Sequence, residues 1–210
     1  MMGTSSNFGN MLSMAGAALF LPFLPMLPTQ VLLNNILYDL SETVLPLDNV
    51  DEAESAMPQH WDITLLRNFM LMLGPVSSLF DIATFYLLLA VLKADEALFQ
   101  TGWFIESLAT QVLVIFIIRT RGNPFRSHPN PALWIAAITV LILAVIIPFS
   151  PLASYFGFVA LPWYYFFAVG LLVLMYLALA QLVKTLFYRS SLARNAQFYS
   201  SSKIIMIDRD

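Results

Sequence analysis

The sequence predicts an all-α integral membrane protein with six transmembrane helices and both termini cytoplasmic. Three observations carry that prediction. The 210 residues are 59% hydrophobic and only 11% charged, where a soluble domain has about 25% charged residues. The apolar residues come in long blocks, with a mean hydropathy of +0.76. The ten basic residues fall almost entirely on one side of the spans those blocks define.

A spanning helix needs about 20 mostly apolar residues. Six segments meet or approach that length, at 8–24, 28–47, 68–92, 103–119, 132–148 and 163–187. Pro22, Pro25 and Pro28 separate the first from the second and predict a tight re-entry between antiparallel spans. Pro28 stands just ahead of Thr29-Gln30-Val31, where the second helix opens. The 48–66 loop is acidic, with Asp48, Asp51, Glu52 and Glu54. The 120–131 loop is short and basic. The 149–162 loop reads as an interfacial turn. Trp103, Trp134, Trp163, Tyr164 and Tyr165 sit at predicted span ends, where amphipathic rings anchor to headgroups.

Arg67, Arg119, Arg121, Arg126, Lys184, Arg189, Arg194, Lys203 and Arg209 share one side with both termini, and only Lys93 falls on the other. That asymmetry places the termini in the cytoplasm. Residues 1–189 form the membrane domain. Residues 190–210 lose the apolar pattern and read as a poorly ordered cytoplasmic tail.

The composition also excludes. The net charge of −3 and the lack of a basic tract argue against nucleic acid as a partner. With no cysteine there is no disulfide, thiolate metal site or cysteine nucleophile. The first apolar block lacks a basic leader and a small-residue cleavage site. No phosphate-cradling glycine loop, serine elbow or His-Glu-x-x-His motif occurs.

Polar residues inside spans are the functional candidates, since an ionised side chain there costs about 2.5–3.5 kcal/mol. Asn7 and Asn10 lie at i,i+3 on the first helix, and Asn35 and Asp39 at i,i+4 on the second, with Asn34 beside them. Each spacing puts its pair on one helix face. Facing each other they offer amide and carboxylate oxygens to a hard cation such as Mg²⁺ or Ca²⁺. Interhelical hydrogen bonding is the alternative for the asparagines. On the fourth span, Glu106 and Gln111 are five residues apart, about 140° around the helix, so one face does not present both. Glu106 reads as either functional or simply solvated near an interface. Gln111 is either a neutral ligand or a helix–helix contact. Asp81, with Ser77, Ser78 and Thr84 around it, reads as structural or pore-lining rather than as a direct ligand. Glu42 reads as partly wet, and His60 and His128 as loop residues. Trp163 to Phe167 reads as a lipid-facing belt, and Met70 and Met72 as membrane packing.

Longer motifs then carry a family resemblance. Ser5-Ser6-Asn7-Phe8-Gly9-Asn10, followed by the run from Leu24 to Asp39, resembles the fifth and sixth membrane helices of P-type cation ATPases. The stretches FMLMLGPVSSLFD at 69–81, FQTGWFIESLATQ at 99–111, IRTRGNPF at 118–125 and IPFSPL at 147–152 resemble the magnesium-transporting type. The resemblance covers residues 4–188. It implies metal ligands at Asn7, Asn10, Asn35 and Asp39, with Gln111 near the eighth-helix ligand position. Tyr38 stands where calcium pumps of the family carry a threonine ligand. Mg²⁺ is implied as the transported ion, and a bacterial-type plasma (inner) membrane as the location. The implied partners are the lipid bilayer, the divalent cation and the N-terminal half of the pump. The family's phosphorylation motif, Asp-Lys-Thr-Gly-Thr, does not occur in the chain, so the chain is expected to have no ATP site and no ATPase activity alone. It reads as a C-terminal piece or separate chain. The alternative is a non-transporting remnant or an accessory subunit that assembles with a separately encoded ATPase half.

Overall fold

The computed structural model describes residues 2–48, 63–120, 124 and 127–207, and among them it contains helices and no strand. Expectations for His60, Asp51, Glu52, Glu54, Arg121, Arg126 and residues 208–210 fall outside the described residues. The helices are α1 (Met2–Phe20), α2 (Pro28–Glu42), α3 (Ile63–Tyr86), α4 (Glu96–Ile118), α5 (Pro131–Ile146), the one-turn α6 (Ala153–Phe156) and α7 (Trp163–Ile207).

Four segments are long and apolar enough to cross a membrane: Arg67–Val91, Glu96–Ile118, Pro131–Phe149 and Trp163–Tyr188. The first two helices do not reach that measure. α2 has 15 residues and rises about 22 Å, short of a hydrocarbon core of about 30 Å. α1 is longer, but serines, asparagines and glycines dilute its first half.

Boundaries shift from the sequence expectation for local reasons. α1 ends at Phe20, ahead of the proline-rich turn. α2 starts on Pro28, whose missing N–H costs nothing at a helix start. Gln30 secures that start, accepting from Leu27 N at 3.0 Å and donating to Phe156 O at 2.9 Å. α4 begins seven residues before the expected 103, because Asp95 caps it by accepting from Leu98 N at 2.9 Å. α5 opens on Pro131 behind Asn130, whose side chain accepts from Ala132 N at 2.9 Å. α7 runs without a break from Trp163 to Ile207, past the expected span end at 187.

α4 is the axis of the bundle. Of its spanning window 89% is buried, against 33%, 33% and 22% for the other three. α3, α5, α2 and α7 all pack on it. Two of its side chains were misplaced by the sequence reading. Trp103 is fully buried rather than interfacial, and Glu106 lies ten residues inside the helix with no exposed surface. Tyr165 is likewise buried, donating to Gly102 O at 2.6 Å, whereas Trp163 and Tyr164 are exposed as a belt requires.

α1 crosses α3 on small residues. Ser78 Oγ is 3.2 Å from both Gly9 O and Gly74 O, and Ser13 Oγ is 3.1 Å from Gly9 O. A Cβ on Gly74 would lie 2.6 Å from Phe8 Cδ1. Glycine at i and serine at i+4 on each helix let the backbones approach, the usual device of helix pairs in membranes. At the far end of α4, Arg119 ion-pairs with Asp48, and Asp48 also accepts from Asn130 N at 2.8 Å. Fully buried Lys184, on α7, donates to Ile117 O at 2.9 Å and Thr120 O at 3.0 Å.

Candidate cation site

The site forms where α1, α2 and α4 meet. A pocket of about 140 Å³ is lined by Asn7, Asn10, Asn34, Asn35, Met11, Met14, Met26, Val31 and Trp103. Asn7 and Asn10 share a face of α1 as their i,i+3 spacing requires. Asn34 points inward from α2 and is buried, while Asn35 is half-buried at the rim.

Amide hydrogen bonds hold these groups together. Asn10 Nδ2 donates to Ser107 Oγ at 2.7 Å. Asn34 Nδ2 lies 3.4 Å from the same oxygen and donates to Gln111 Oε1 at 3.3 Å. Gln111 thus joins the site through Asn34, without lining the pocket itself. Asn10 and Asn34 thus make the interhelical hydrogen bonds that were one of the two alternatives. Among the buried atoms without a hydrogen-bond partner are Asn7 Oδ1, Asn34 Oδ1 and both Glu106 oxygens. The two asparagine oxygens belong to pocket-lining residues and are acceptors, as a hard cation requires, whereas Glu106 does not line the pocket and the buried Gln111 Nε2 beside Asn34 is an unpartnered donor.

Of the expected pair on α2, Asn35 lines the pocket and Asp39 does not. Asp39 is exposed on the outer face of α2 and does not line the pocket. Asn34, 100° around the helix from Asn35, takes the inward position. Tyr38 is fully buried and its hydroxyl donates to Glu42 Oε1 at 2.9 Å. Among the described residues, no three His, Asp or Glu side chains converge as a metal cluster.

Asp81 sits behind the pocket. Its partners are not the neighbouring serines and threonine of α3 but Ser13 on α1, which donates to Oδ2, and Trp103 on α4, whose Nε1 donates to Oδ1 at 2.9 Å. Glu106 lies against Asp81, yet neither of its oxygens receives a well-formed hydrogen bond. Glu106 and Gln111 are both buried although they point to different sides of α4. The helix is covered all round, so the one-face argument did not discriminate between them. Ser107 and Trp103 lie among other polar residues of 99–111, and neither charge nor spacing singled out that hydroxyl or that indole as reaching the pocket.

These features define a helical membrane bundle with a buried amide pocket at its polar corner. The chain belongs to the family described as "Cation transporting ATPase, C-terminus", whose model matches residues 23–186. It is 45% identical over 193 residues to "Magnesium-transporting ATPase, P-type 1" of Escherichia coli strain K12, a match covering 90% of this chain and 22% of that protein. Salmonella typhimurium strain LT2 has proteins of the same description 45% and 40% identical over 193 residues, each covered to 21%. The chain therefore spans about a fifth of the length of these curated relatives.

Proposed function

We propose that this chain is the cation-handling membrane part of a P-type pump, and that the ion it handles is Mg²⁺. The observation that carries the reading is the pocket itself: amide side chains from α1 and α2 line it together, and Asn7 Oδ1 and Asn34 Oδ1 are buried without a hydrogen-bond partner. Neutral oxygen ligands suit an ion that gives up its water reluctantly and is bound partly hydrated. The likeness to magnesium-transporting relatives supports the choice of ion.

In this reading α1 and α2 also cross the membrane, completing six spans with both termini in the cytoplasm. Their shortfall in apolar length is met by packing against the four longer spans and against the rest of the pump. The membrane is the bacterial plasma (inner) membrane. Asn7, Asn10, Asn34 and Asn35 are the ligands nearest the ion, and Gln111 and Ser107 hold them. Asp39, on the outer face of α2, serves the surface that meets the N-terminal half. ATP binding and phosphorylation belong to that half, so the chain alone hydrolyses no ATP, and phosphate release by the purified chain would sink that statement.

The test is Mn²⁺ binding to the 210-residue chain in lipid nanodiscs, read by electron paramagnetic resonance and competed with Mg²⁺. Mg²⁺-displaceable Mn²⁺, weakened at least tenfold by Asn10→Leu or Asn34→Leu, supports the reading. No displaceable Mn²⁺, or variants that bind like the wild type, would overturn it.

A further inference from the structure

Asp81 is the least explained polar group in the bundle. It is 1% exposed, lies on α3 rather than on a helix that lines the pocket, and contacts the ion site only through others. We infer that Asp81 is a positioning residue of the cation site, fixing two of its walls at once through Trp103 and Ser13. The inference rests on the cation-site reading above.

Both carboxyl oxygens of Asp81 are engaged, and by different helices. Oδ1 accepts from Trp103 Nε1 at 2.9 Å, and Oδ2 accepts from Ser13 Oγ. The Trp103 ring whose nitrogen is held in this way is itself a wall of the amide pocket. Phe85 backs that ring edge-on, with centroids 5.0 Å apart and planes at 84°. Ser13 is three residues beyond Asn10 on α1, so it shares a helix face with the asparagine that reaches the pocket. One carboxylate therefore sets the position of the indole wall on α4 and of the amide-bearing helix α1. An indole N–H and a hydroxyl buried together each require an acceptor, and Asp81 is the acceptor for both.

An asparagine at this position keeps one acceptor oxygen and replaces the other with a donor. One of the two walls must then come loose. Partners that orient a metal's direct ligands typically contribute 10–100-fold to affinity when removed. A looser pocket also shifts preference toward a larger ion, because Ca²⁺ accepts flexible geometry and Mg²⁺ demands near-ideal octahedral geometry. The role is thus one of specificity as well as affinity.

The experiment is the Mn²⁺ nanodisc titration, with Mg²⁺ and Ca²⁺ as competitors. Asp81→Asn is expected to weaken Mg²⁺ about tenfold or more and to weaken Ca²⁺ less, so the Mg²⁺-to-Ca²⁺ ratio falls. Trp103→Phe, which keeps an aromatic wall but removes the same hydrogen bond, is expected to reproduce the fall. The double variant is expected to lose less than the sum of the two singles, since both substitutions act on the bond between Asp81 and Trp103. A purely structural Asp81 lowers yield or melting temperature and leaves the ratio unchanged. If Asp81→Asn does not fold, Trp103→Phe and Ser13→Ala each remove one of the two bonds and carry the same test. Wild-type binding with an unchanged ratio in these variants overturns the inference and leaves the cation site standing. Absence of wild-type binding overturns the cation site and the inference with it.

Discussion

Asn10 Nδ2 donates to Ser107 Oγ at 2.7 Å, joining α1 to α4 across 97 positions of sequence. Asn34 reaches the same hydroxyl from α2 at 3.4 Å. One serine on the central helix therefore gathers the two helices that carry the amide oxygens. Ser107→Ala removes the gathering point and strands a buried amide donor, a change that costs about 1–3 kcal/mol. Thermal unfolding in detergent is expected to show that loss. An Asn10→Ala/Ser107→Ala double variant is expected to lose less than the sum of the singles.

The α1–α3 crossing gives a paired expectation. A Cβ at Gly74 meets the Phe8 ring at 2.6 Å, whereas a Cβ at Gly16 meets nothing within 4 Å. Gly74→Ala is expected to destabilise by about 1–3 kcal/mol through overpacking. Gly16→Ala is expected to be neutral or to stabilise by up to about 1 kcal/mol through helix propensity. Equal melting temperatures for the two variants would contradict this packing.

Lys184 closes the carboxyl end of α4 by donating to Ile117 O and Thr120 O. The last carbonyls of a helix lack intrahelical partners and carry partial negative charge. Lys184→Met leaves both carbonyls short of a charged donor, and about 1.5–3 kcal/mol of stability per hydrogen bond to a charged group is at stake. Chemical denaturation of the two proteins side by side reads this out, and an unchanged midpoint contradicts it.

The Arg119–Asp48 pair is nearly dry, its side chains only 3% and 10% exposed. Breaking one partner of such a pair costs about 3–5 kcal/mol, because the other charge stays buried. Asp48→Asn and Arg119→Met are therefore each expected to be strongly destabilising, with the double variant milder than the sum. Salt is expected to change the coupling little, since partly buried pairs are weakly screened.

Much of this molecule was legible before its structure. The blocks at 68–92, 132–148 and 163–187 each coincide with a helix long and apolar enough to cross a membrane, the length a bilayer requires. The motif around Asn7 and Asn10 and the run from Leu24 to Asp39 marked the family and lie on the two helices that carry most of the candidate pocket. What was hidden depends on packing. Residues 96–102 are not strongly apolar, yet they form the first turns of α4, so Glu106, ten residues inside the helix, was placed near an interface it does not approach. Whether Asn34 or Asp39 turns inward depends on helix phase against α4, which i,i+4 spacing leaves open. Asp48 with Arg119, and Asp81 with Trp103 and Ser13, are pairings between distant residues that no local pattern encodes.

Asp39 separates the chain's own fold from its place in a larger pump. It is exposed and touches nothing in the pocket. Asp39→Asn is expected to leave the stability of the chain unchanged within about 0.5 kcal/mol, as for other surface changes. In a chimera where this chain replaces the matching segment of the E. coli relative, the same substitution is expected to reduce transport. A loss of stability in the chain alone would contradict the outward placement.

Mg²⁺ uptake by that chimera, in cells lacking other Mg²⁺ transport, is the most direct measurement of all. The expected result is uptake by the chimera, reduced at least tenfold by Asn10→Leu and by Asn34→Leu while both variants reach the membrane in normal amount. Uptake that is indifferent to both substitutions, or a well-folded chimera that moves no Mg²⁺, would contradict a cation site built from the amides of α1 and α2.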